Sequence, residues 1–446
     1  MRRLLALAIL ATMTTAATAA DGSDRHVVLI SLDGFPASYL DDPAVSIPAI
    51  RGLRDAGAST EQGMTVSNPS VTWPNHTTLV SGVHPIGHGV IYNGVLTRAE
   101  GKPTTGNAEA LQSELVRVPL LFDRVKAAGR GTAAINWPCT AGSEGIDDNF
   151  PDVRNMLNHI TPALKGHMDS AGLTEKFKLG GGARDVVWTE LAAHVLRERK
   201  PAFLALHLLE LDSTHHQHGY GTPQGREVAA KLDALVGKVV QAAEEAGIRD
   251  KTTFFVVSDH GFINNTRTIR PNIALRDAGL LTVEGDNVES ARAYVVPEGG
   301  IGLVYLANPA TKEEDRQKVR ELFETAEGIS GVFDPADFPG LGLPDPASHP
   351  AMADMVIAAK DGYGVGGAVK GQGLIQEHAQ RGSHGYISTE PKMKALFVAS
   401  GAGIKPGAKL PAVNNIDVAP TAAHLLGIPL DDAPGRVLAE FLTDSK

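Results

Sequence analysis

Apolar runs of strand length recur along this chain of 446 residues, and several of them lead into turns rich in acidic and histidine residues. VVLISL leads into Asp33, FLALHLL leads into the segment with Asp212 and His216, and FFVV leads into Asp259 and His260. Continuous apolar runs are typical of strands buried on both faces, as in parallel sheets. Because open α/β sheets place ligand sites at the carboxyl edge of their strands, we expect these polar residues to lie together there.

The order of the remaining segments favours an α/β fold: a mostly parallel sheet with helices on both faces. Apolar and amphipathic patterns predict strands at 26–32, 131–136, 202–209 and 252–258, with helices near 47–57, 73–81, 117–127, 184–198 and 223–246. A strand in KALFVAS and a helix in IDVAPTAAHLLG follow near the end. Between them, RQKVRELFETAEGI is typical of an amphipathic helix flanked by short strands. Residues 265–375 are therefore predicted to form a small inserted α+β subdomain.

The first residues are typical of a secretory signal peptide, with an arginine pair, the apolar stretch 4–11 and small residues around a cleavage site. We predict a leader over 1–20 and one mature domain over 21–446, located in a bacterial periplasm or secreted. An N-terminal anchor is the alternative, although the apolar stretch is too short to span a bilayer. No later stretch reaches the roughly 18 apolar residues of a spanning helix, so we expect no membrane span.

The charge balance excludes a general nucleic-acid binder. The chain has 41 basic and 51 acidic residues, a formal net charge of −10, and loss of the two leader arginines leaves −12. Binding to a phosphate backbone needs clustered Lys and Arg, so we expect no nucleic-acid polymer as a partner. A small anionic substrate would instead be attracted locally, by divalent metal ions bound in a cleft.

Three segments carry residue types that bind metal ions. Asp212 and His216 are four residues apart and would share one face of a helical turn. Asp259 and His260 are adjacent, which places them on the turn after a strand rather than within it. Mixed carboxylate and imidazole ligands favour zinc, with manganese or iron as alternatives, whereas all-oxygen sites would suit magnesium or calcium better. Taken alone, Asp33 could instead cap a helix and DSTHHQHG could be a polar loop.

A hydroxyl and two neighbours complete the candidate site. Thr72 stands shortly before Pro74, where a helix is predicted to begin, and a hydroxyl at a helix start lies in positive electrostatic potential. Contact with a metal would lower its pKa further, so Thr72 is a candidate nucleophile as well as a candidate N-cap. Asn93 in YNG could equally be a hairpin-turn residue. Trp73 could be an ordinary core tryptophan.

Together these segments resemble the nucleotide pyrophosphatase/phosphodiesterase branch of the alkaline phosphatase superfamily. The motifs lie between residue 26 and about residue 427: LDGF with Asp33, TWPNH with Thr72, HGVIYNG with Asn93, DSTHH with Asp212 and His216, SDHG with Asp259 and His260, and GSHGY with His384. The resemblance implies an alkaline-phosphatase-like fold and two zinc ions. It assigns Asp212, His216 and His384 to one ion and Asp33, Thr72, Asp259 and His260 to the other.

The same resemblance implies an activity, namely hydrolysis of a small phosphodiester or nucleotide pyrophosphate through a phosphothreonine intermediate. Asn93 would donate to a phosphoryl oxygen, and Trp73 would line the leaving-group pocket. Family members usually carry a base-stacking tyrosine where this chain has His207, which predicts a weak contribution from a nucleotide base. A phosphomonoesterase or phosphonate hydrolase on the same scaffold is the main alternative. A non-catalytic zinc-binding protein is a further one, against which Thr72 argues.

Overall fold

The structure, a computed structural model, describes residues 24–285 and 287–443, so the predicted leader over 1–20 lies outside the described residues. Its strands are, in chain order, β1 (His26–Leu32), β2 (Ala58–Thr60), β3 (Met64–Thr65), β4 (Val95–Thr97), β5 (Thr105–Asn107), β6 (Thr132–Pro138), β7 (Asp148–Asp152), β8 (Phe203–Leu208), β9 (Thr252–Val257), β10 (Ile263–Ile269), β11 (Leu281–Glu284), β12 (Asn287–Ala291), β13 (Ala293–Glu298), β14 (Ile301–Leu306), β15 (Ile329–Phe333), β16 (Met355–Ala359), β17 (Tyr363–Val365), β18 (Ile375–Ser383), β19 (Phe397–Gly401), β20 (Ala408–Leu410) and β21 (Val413–Asn414).

The helices of the described residues are α1 (Pro48–Asp55), α2 (Thr72–Ser81), α3 (Pro85–His88), α4 (Gln112–Leu115), α5 (Leu121–Ala127), α6 (Pro162–Ser170), α7 (Leu173–Phe177), α8 (Gly182–Glu198), α9 (Glu210–His218), α10 (Pro223–Glu245), α11 (Pro271–Asp277), α12 (Lys312–Phe323), α13 (Phe338–Leu341) and α14 (Val418–Leu426). Short 3₁₀ turns connect several of them.

One large sheet forms the centre of the molecule. Its strand order is β20-β2-β19-β9-β1-β8-β6-β7. The five strands from β9 to β7 are parallel to one another, whereas β19 is antiparallel to both of its neighbours. The predicted α/β class with a mostly parallel sheet is confirmed.

Helices cover both faces of this sheet, and the alternation along β1 shows why its apolar run is continuous. Val28 and Ile30 point into a core formed with α8 and α10. Val27 and Leu29 point the other way, into a core that includes residues of α2, α5 and α14. A strand covered on both sides must be apolar at every position, which is what distinguishes it from an alternating surface strand.

Most predicted elements of the central sheet occur within a few residues of their expected bounds, and β1 occupies the predicted 26–32. The stretch from β7 through α7 was not predicted. Strand β7 has the sequence DNFPD and pairs only with β6 at the edge of the sheet. An edge strand tolerates proline and acidic residues, so its sequence lacks the apolar run that marks the central strands.

The region between β9 and β19 contains smaller sheets. One has the order β13-β14-β16-β15 with α12 nearby, another has the order β17-β10-β18, and β11 and β12 form a hairpin. Strand β10 begins at Ile263 and β18 ends at Ser383, so regular structure extends on both sides of the interval 265–375. The division into a separate inserted subdomain remains a prediction.

Candidate active site

Three strands bring the candidate ligands to one edge of the central sheet. β1 lies between β8 and β9, with Leu32 opposite Leu208 and Ser31 opposite Val257. The strands therefore end side by side. Asp33 follows β1, helix α9 with its ligand residues follows β8, and Asp259 follows β9. The edge predicted from the apolar runs is where the structure places these side chains.

Asp259 and His260 form the floor of the site with Asp33. Asp259 Oδ1 accepts hydrogen bonds from the backbone N–H groups of Gly34 and His260, each at 3.1 Å. His260 Nε2 lies 3.2 Å from Asp259 Oδ2 and 3.3 Å from Asp33 Oδ1. Asp33, Asp259 and His260 are fully buried.

Asp212, His216 and His384 form a second group nearer the surface. Asp212 Oδ1 lies 3.4 Å from His216 Nε2, one helical turn along α9, and 3.6 Å from His384 Nε2. The other ring nitrogens are engaged with backbone: His216 Nδ1 donates to Gly382 O and His384 Nδ1 donates to Ser70 O, both at 3.1 Å. Each Nε2 is thereby left as the lone-pair nitrogen, the form in which histidine binds metals.

The unsatisfied polar atoms in this cluster test whether a metal fits. Buried polar atoms normally have hydrogen-bond partners, yet four atoms here have none within the described residues: Asp33 Oδ1, Asp212 Oδ1, Asp259 Oδ2 and His260 Nε2. The potential ligand atoms of Asp212, His216 and His384 lie within 4.8 Å of one another, as do those of Asp33, Asp212 and His260. Converging unpartnered oxygen and nitrogen atoms of these types suit a divalent cation. Asp212 belongs to both groups and so lies between them.

The electrostatics of the cluster also favour bound cations. Burial raises the pKa of Asp33 well above its usual range, and the neighbouring Asp212 carboxylate raises it further. Burial, followed by repulsion from Asp33, likewise raises the pKa of Asp259. Burial lowers the pKa of His384 to about 4, which keeps its ring neutral. Buried carboxylates this close together are unfavourable unless positive charge is added.

Thr72 is the first residue of α2, and this helix start adjoins both ligand groups. Thr72 O accepts a hydrogen bond at 2.9 Å from His76 Nδ1, which lies 3.6 Å from Asp259 Oδ2. The backbone oxygen of Ser70, two residues before Thr72, accepts a hydrogen bond from His384 Nδ1. The Thr72 residue is 8% exposed. These contacts place the start of α2, where Thr72 lies, beside the candidate ligands Asp259 and His384.

Asn93 also lies at the start of α2, not in a hairpin turn. The β4–β5 hairpin begins only at Val95. Asn93 Oδ1 accepts the backbone N–H of Trp73 at 2.8 Å, which places the side chain beside the residue that follows Thr72. Because this carboxamide oxygen is occupied, the NH₂ group of Asn93 is the part left to meet a ligand.

Trp73 is 4% exposed and packs in a small apolar cluster with Val90 and Cys139. Its indole N–H donates to Asp152 Oδ2 at 3.1 Å. The structure places Trp73 beside the nucleophile and largely in the core, so its part in a leaving-group pocket remains a prediction. Burial raises the pKa of the Cys139 thiol to about 12, in agreement with the small buried role expected for it.

His207 occupies a structural position, so the weak contribution expected from a nucleotide base stays a prediction with which its burial agrees. This ring is completely buried within β8, where Nε2 lies 2.9 Å from Asp33 Oδ2 and Nδ1 lies 2.9 Å from Asn136 O. It cannot reach a substrate base, because it supports Asp33 from behind. A histidine in the middle of the apolar run FLALHLL was the signal for such a role, since a polar residue inside a buried strand needs polar partners.

Two further carboxylates at the site were missed from the sequence. Asp152 ends the edge strand β7 and holds the Trp73 indole. Asp185 in α8 accepts the backbone N–H groups of Leu209 and Glu210, at 2.9 and 3.0 Å, and so caps the start of α9. Both contacts join elements that are distant along the chain, β7 with α2 and α8 with α9, so no local motif marks them.

The fold and the site together define an α/β protein with a candidate two-metal centre at the carboxyl edge of its sheet. A sequence profile described as "Type I phosphodiesterase / nucleotide pyrophosphatase" matches residues 27–387. The chain therefore belongs to this family, as its motifs predicted.

Individual relatives are distant. Ectonucleotide pyrophosphatase/phosphodiesterase family member 1 of Mus musculus is 24% identical over 409 residues, which are 90% of this chain and 40% of that protein. A Pongo abelii relative named bis(5'-adenosyl)-triphosphatase is 22% identical over 415 residues, 90% of this chain and 78% of the relative. This chain thus spans well under half of the mouse protein.

Solved structures show the shared fold. An inactive variant of murine ectonucleotide pyrophosphatase/phosphodiesterase 5, in complex with AMP, matches with a TM-score of 0.68 and 18% identity, over 94% of this chain and all of that one. This likeness confirms the predicted fold class. Within residues 24–285 and 287–443, none of the helices combines the length and apolar character needed to cross a bilayer.

Proposed function

We propose that this chain is a zinc-dependent hydrolase that cleaves phosphodiester or pyrophosphate bonds through a phosphothreonine intermediate. One observation carries the proposal: unpartnered, buried carboxylate and imidazole atoms converge beside a helix that starts at a threonine. Such a cluster has the composition of a metal centre for an anionic substrate. Membership of a phosphodiesterase family supports the same reaction class.

The residues would divide between two ions. We propose Asp212, His216 and His384 for one ion, and Asp33, Thr72, Asp259 and His260 for the other. Two bound zinc ions would supply positive charge at the phosphoryl group and at the nucleophile. The convergence of Asp212 with His216 and His384, and the neutral rings of His260 and His384, support this division.

Thr72 Oγ1 would attack phosphorus, forming an O–P bond as the bond to the leaving oxygen breaks. Positive potential at the start of α2 favours the deprotonated hydroxyl and the phosphoryl oxygens that approach it. Asn93 would donate from its NH₂ group to a non-bridging oxygen, while its carboxamide oxygen stays on Trp73 N–H. The hydroxyl proton of Thr72 would leave with the departing alcohol or phosphate. Water would then attack the phosphorylated threonine, release a phosphate monoester and return a proton to Thr72.

The substrate class follows from size, charge and relatives. A small phosphodiester or nucleotide is proposed rather than a nucleic-acid polymer, because the chain is acidic overall. The murine relative was solved with AMP, and the Pongo abelii relative is named for a dinucleoside triphosphate. Since His207 is buried, any stacking group for a base must come from elsewhere. Export to a periplasm or to the exterior is proposed from the leader pattern alone.

Replacement of Thr72 tests the nucleophile. We expect Thr72→Ala to lower turnover of an aryl phosphodiester by several orders of magnitude, because the attacking oxygen is lost. Thr72→Ser should retain part of the activity. Thr77→Ala is the matched control, since Thr77 is buried in the same helix and its hydroxyl donates to the backbone oxygen of Trp73. The measurement is kcat with zinc content and melting temperature recorded for each variant.

Trapping of the covalent intermediate provides a second test of the nucleophile. Rapid quenching of the parent enzyme should trap the phosphoryl group, with its remaining ester, on a peptide containing Thr72, and Thr72→Ala should trap none. A Thr72→Ala variant that turns over nearly as fast as the parent would rule out the covalent mechanism.

Charge at the site separates a diesterase from the rival phosphomonoesterase. Among the described residues, the polar partners of Asp33, Asp152 and Asp259 are backbone amides, histidines and Trp73, with no Lys or Arg among them. The dianion of a monoester would usually meet an added cation. We expect kcat/KM for an aryl phosphodiester to exceed that for the matching monoester by at least ~10-fold, which needs only about 1.4 kcal/mol. A tenfold preference for the monoester would favour the phosphatase alternative.

A further inference from the structure

Phe262 lies at the centre of the histidine cluster. It follows the Asp259–His260 turn and is completely buried. Its ring centroid lies 5.0 Å from that of His215, 5.1 Å from His216, 5.4 Å from His384 and 5.8 Å from His260. With three of these rings the contact is edge-on, at interplanar angles of 65–73°. Three of the four histidines are proposed metal ligands.

Two glycines leave the space that this ring occupies. A Cβ atom at Gly34 would lie 2.4 Å from Phe262 Cε2, and one at Gly382 would lie 2.9 Å from Phe262 Cδ1. Gly34 follows the ligand Asp33, and Gly382 precedes the ligand His384. One side chain therefore packs against the four segments that carry the aspartate and histidine ligands, namely the turns after β1 and β9, helix α9, and the end of β18.

We propose that Phe262 is a positioning residue, which sets the orientation and spacing of the ligand histidines through packing. This inference rests on the proposed function, because it assumes that the histidines bind metal. Each ring is held at one nitrogen by a backbone carbonyl, a contact that permits rotation about the hydrogen bond. Edge-on packing against Phe262 removes that freedom, since a close-packed interior leaves no room for a second arrangement.

The test compares Phe262→Leu with Phe122→Leu. Phe122 in α5 is equally buried, and its ring centroid lies 4.8 Å from that of Phe203, in the apolar core that contains Val27 and Leu29. Both changes remove the same atoms, so both should lower the melting temperature. Only Phe262→Leu should weaken zinc binding, by ~10- to 100-fold in competition with a chelating dye, the range found for residues that support metal ligands.

A spectroscopic measurement separates positioning from general stability. Cobalt(II) substituted for zinc absorbs visible light according to its ligand geometry, so Phe262→Leu should change this spectrum and Phe122→Leu should leave it as in the parent. Should Phe262→Leu fail to fold, Phe262→Met keeps an apolar side chain of similar volume and carries the same comparison.

Two results overturn the inference in different ways. If the parent binds zinc and the Phe262 variant binds it equally tightly with the same cobalt spectrum, Phe262 is only a core residue and the proposed function stands. If the parent itself binds no zinc and hydrolyses no diester, the proposed function fails, and this inference fails with it.

Discussion

At the scale of single residues, the site is prepared for cations by backbone hydrogen bonds. His216, His260 and His384 each donate from Nδ1 to a main-chain carbonyl oxygen. Asp259 accepts two main-chain N–H groups through one oxygen and leaves the other without a partner. Each side chain is therefore oriented before a metal arrives, and metal binding requires little additional ordering.

Asn93 has two groups with separate tasks, and two substitutions distinguish them. Asn93→Asp keeps the oxygen that accepts Trp73 N–H but removes the donor, so we expect a fall in kcat of ~10²- to 10³-fold with near-parent stability. Asn93→Ala removes both groups, so it should also lower the free energy of unfolding by about 1 kcal/mol. Diester kinetics and chemical denaturation provide the two measurements. A parent-like rate for Asn93→Asp would show that the side chain serves only α2.

At the scale of elements, α9 depends on a cap from another helix. Its preceding residue, Leu209, has no side-chain cap of its own. The buried carboxylate of Asp185 acts as the cap instead, because it accepts the backbone N–H groups of Leu209 and Glu210. Burial raises the pKa of Asp185 to about 6, so the carboxylate is ionised at pH 8. The placement of Asp212 and His216 therefore depends on α8.

Asp233 offers a matched control for this cap. It accepts the backbone N–H groups of Ala49 and Ile50 at the start of α1, at 3.0 and 2.8 Å, and α1 carries no proposed ligand. At pH 8 we expect Asp185→Asn and Asp233→Asn each to lower the free energy of unfolding by ~1.5–3 kcal/mol. Only Asp185→Asn should also weaken zinc binding, by ~10-fold. Equal zinc affinity in both variants would contradict a role for the cap at the site.

At the scale of the whole molecule, the smaller sheets complete the site that the central sheet begins. His384 follows β18. Its backbone oxygen accepts a hydrogen bond of 2.7 Å from the N–H group of Gly300, which lies in the tight turn between β13 and β14. The backbone oxygen of Gly382, in β18, accepts a hydrogen bond from His216 Nδ1. The two parts of the fold therefore meet at the proposed metals, so metal binding should stabilise the chain as a unit.

Metal removal tests that coupling. We expect about two zinc ions per chain by elemental analysis, because the ligands form two groups. Zinc at 1,000 times its Kd should add about 4 kcal/mol to the free energy of unfolding, because it compensates the buried carboxylates of Asp33 and Asp259. A chelator should abolish diester hydrolysis and lower the melting temperature, and added zinc should restore both. Full activity with one ion or none would contradict the two-metal proposal.

The sequence by itself determined the elements whose signal is local. The central strands follow from continuous apolar runs, because burial on both faces demands them, and the run 26–32 predicted β1 to the residue. Side chains after β1, β8 and β9 were expected at one edge because parallel strands end together. Thr72 was expected at a helix start because Pro74 favours the first turn, and α2 does begin there.

Only the tertiary structure decided which distant groups support those residues. The sequence predicts only that His207 lacks the base-stacking ring of its relatives, and the fold shows that this histidine contacts Asp33 instead. Asp185 and Phe262 carry no motif, and their partners lie in segments far away along the chain. Periodicity and turn chemistry report the environment of a residue within its own element, whereas such contacts depend on how elements pack. The candidate ligand residues could therefore be proposed from the sequence, whereas the contacts that orient them required the fold.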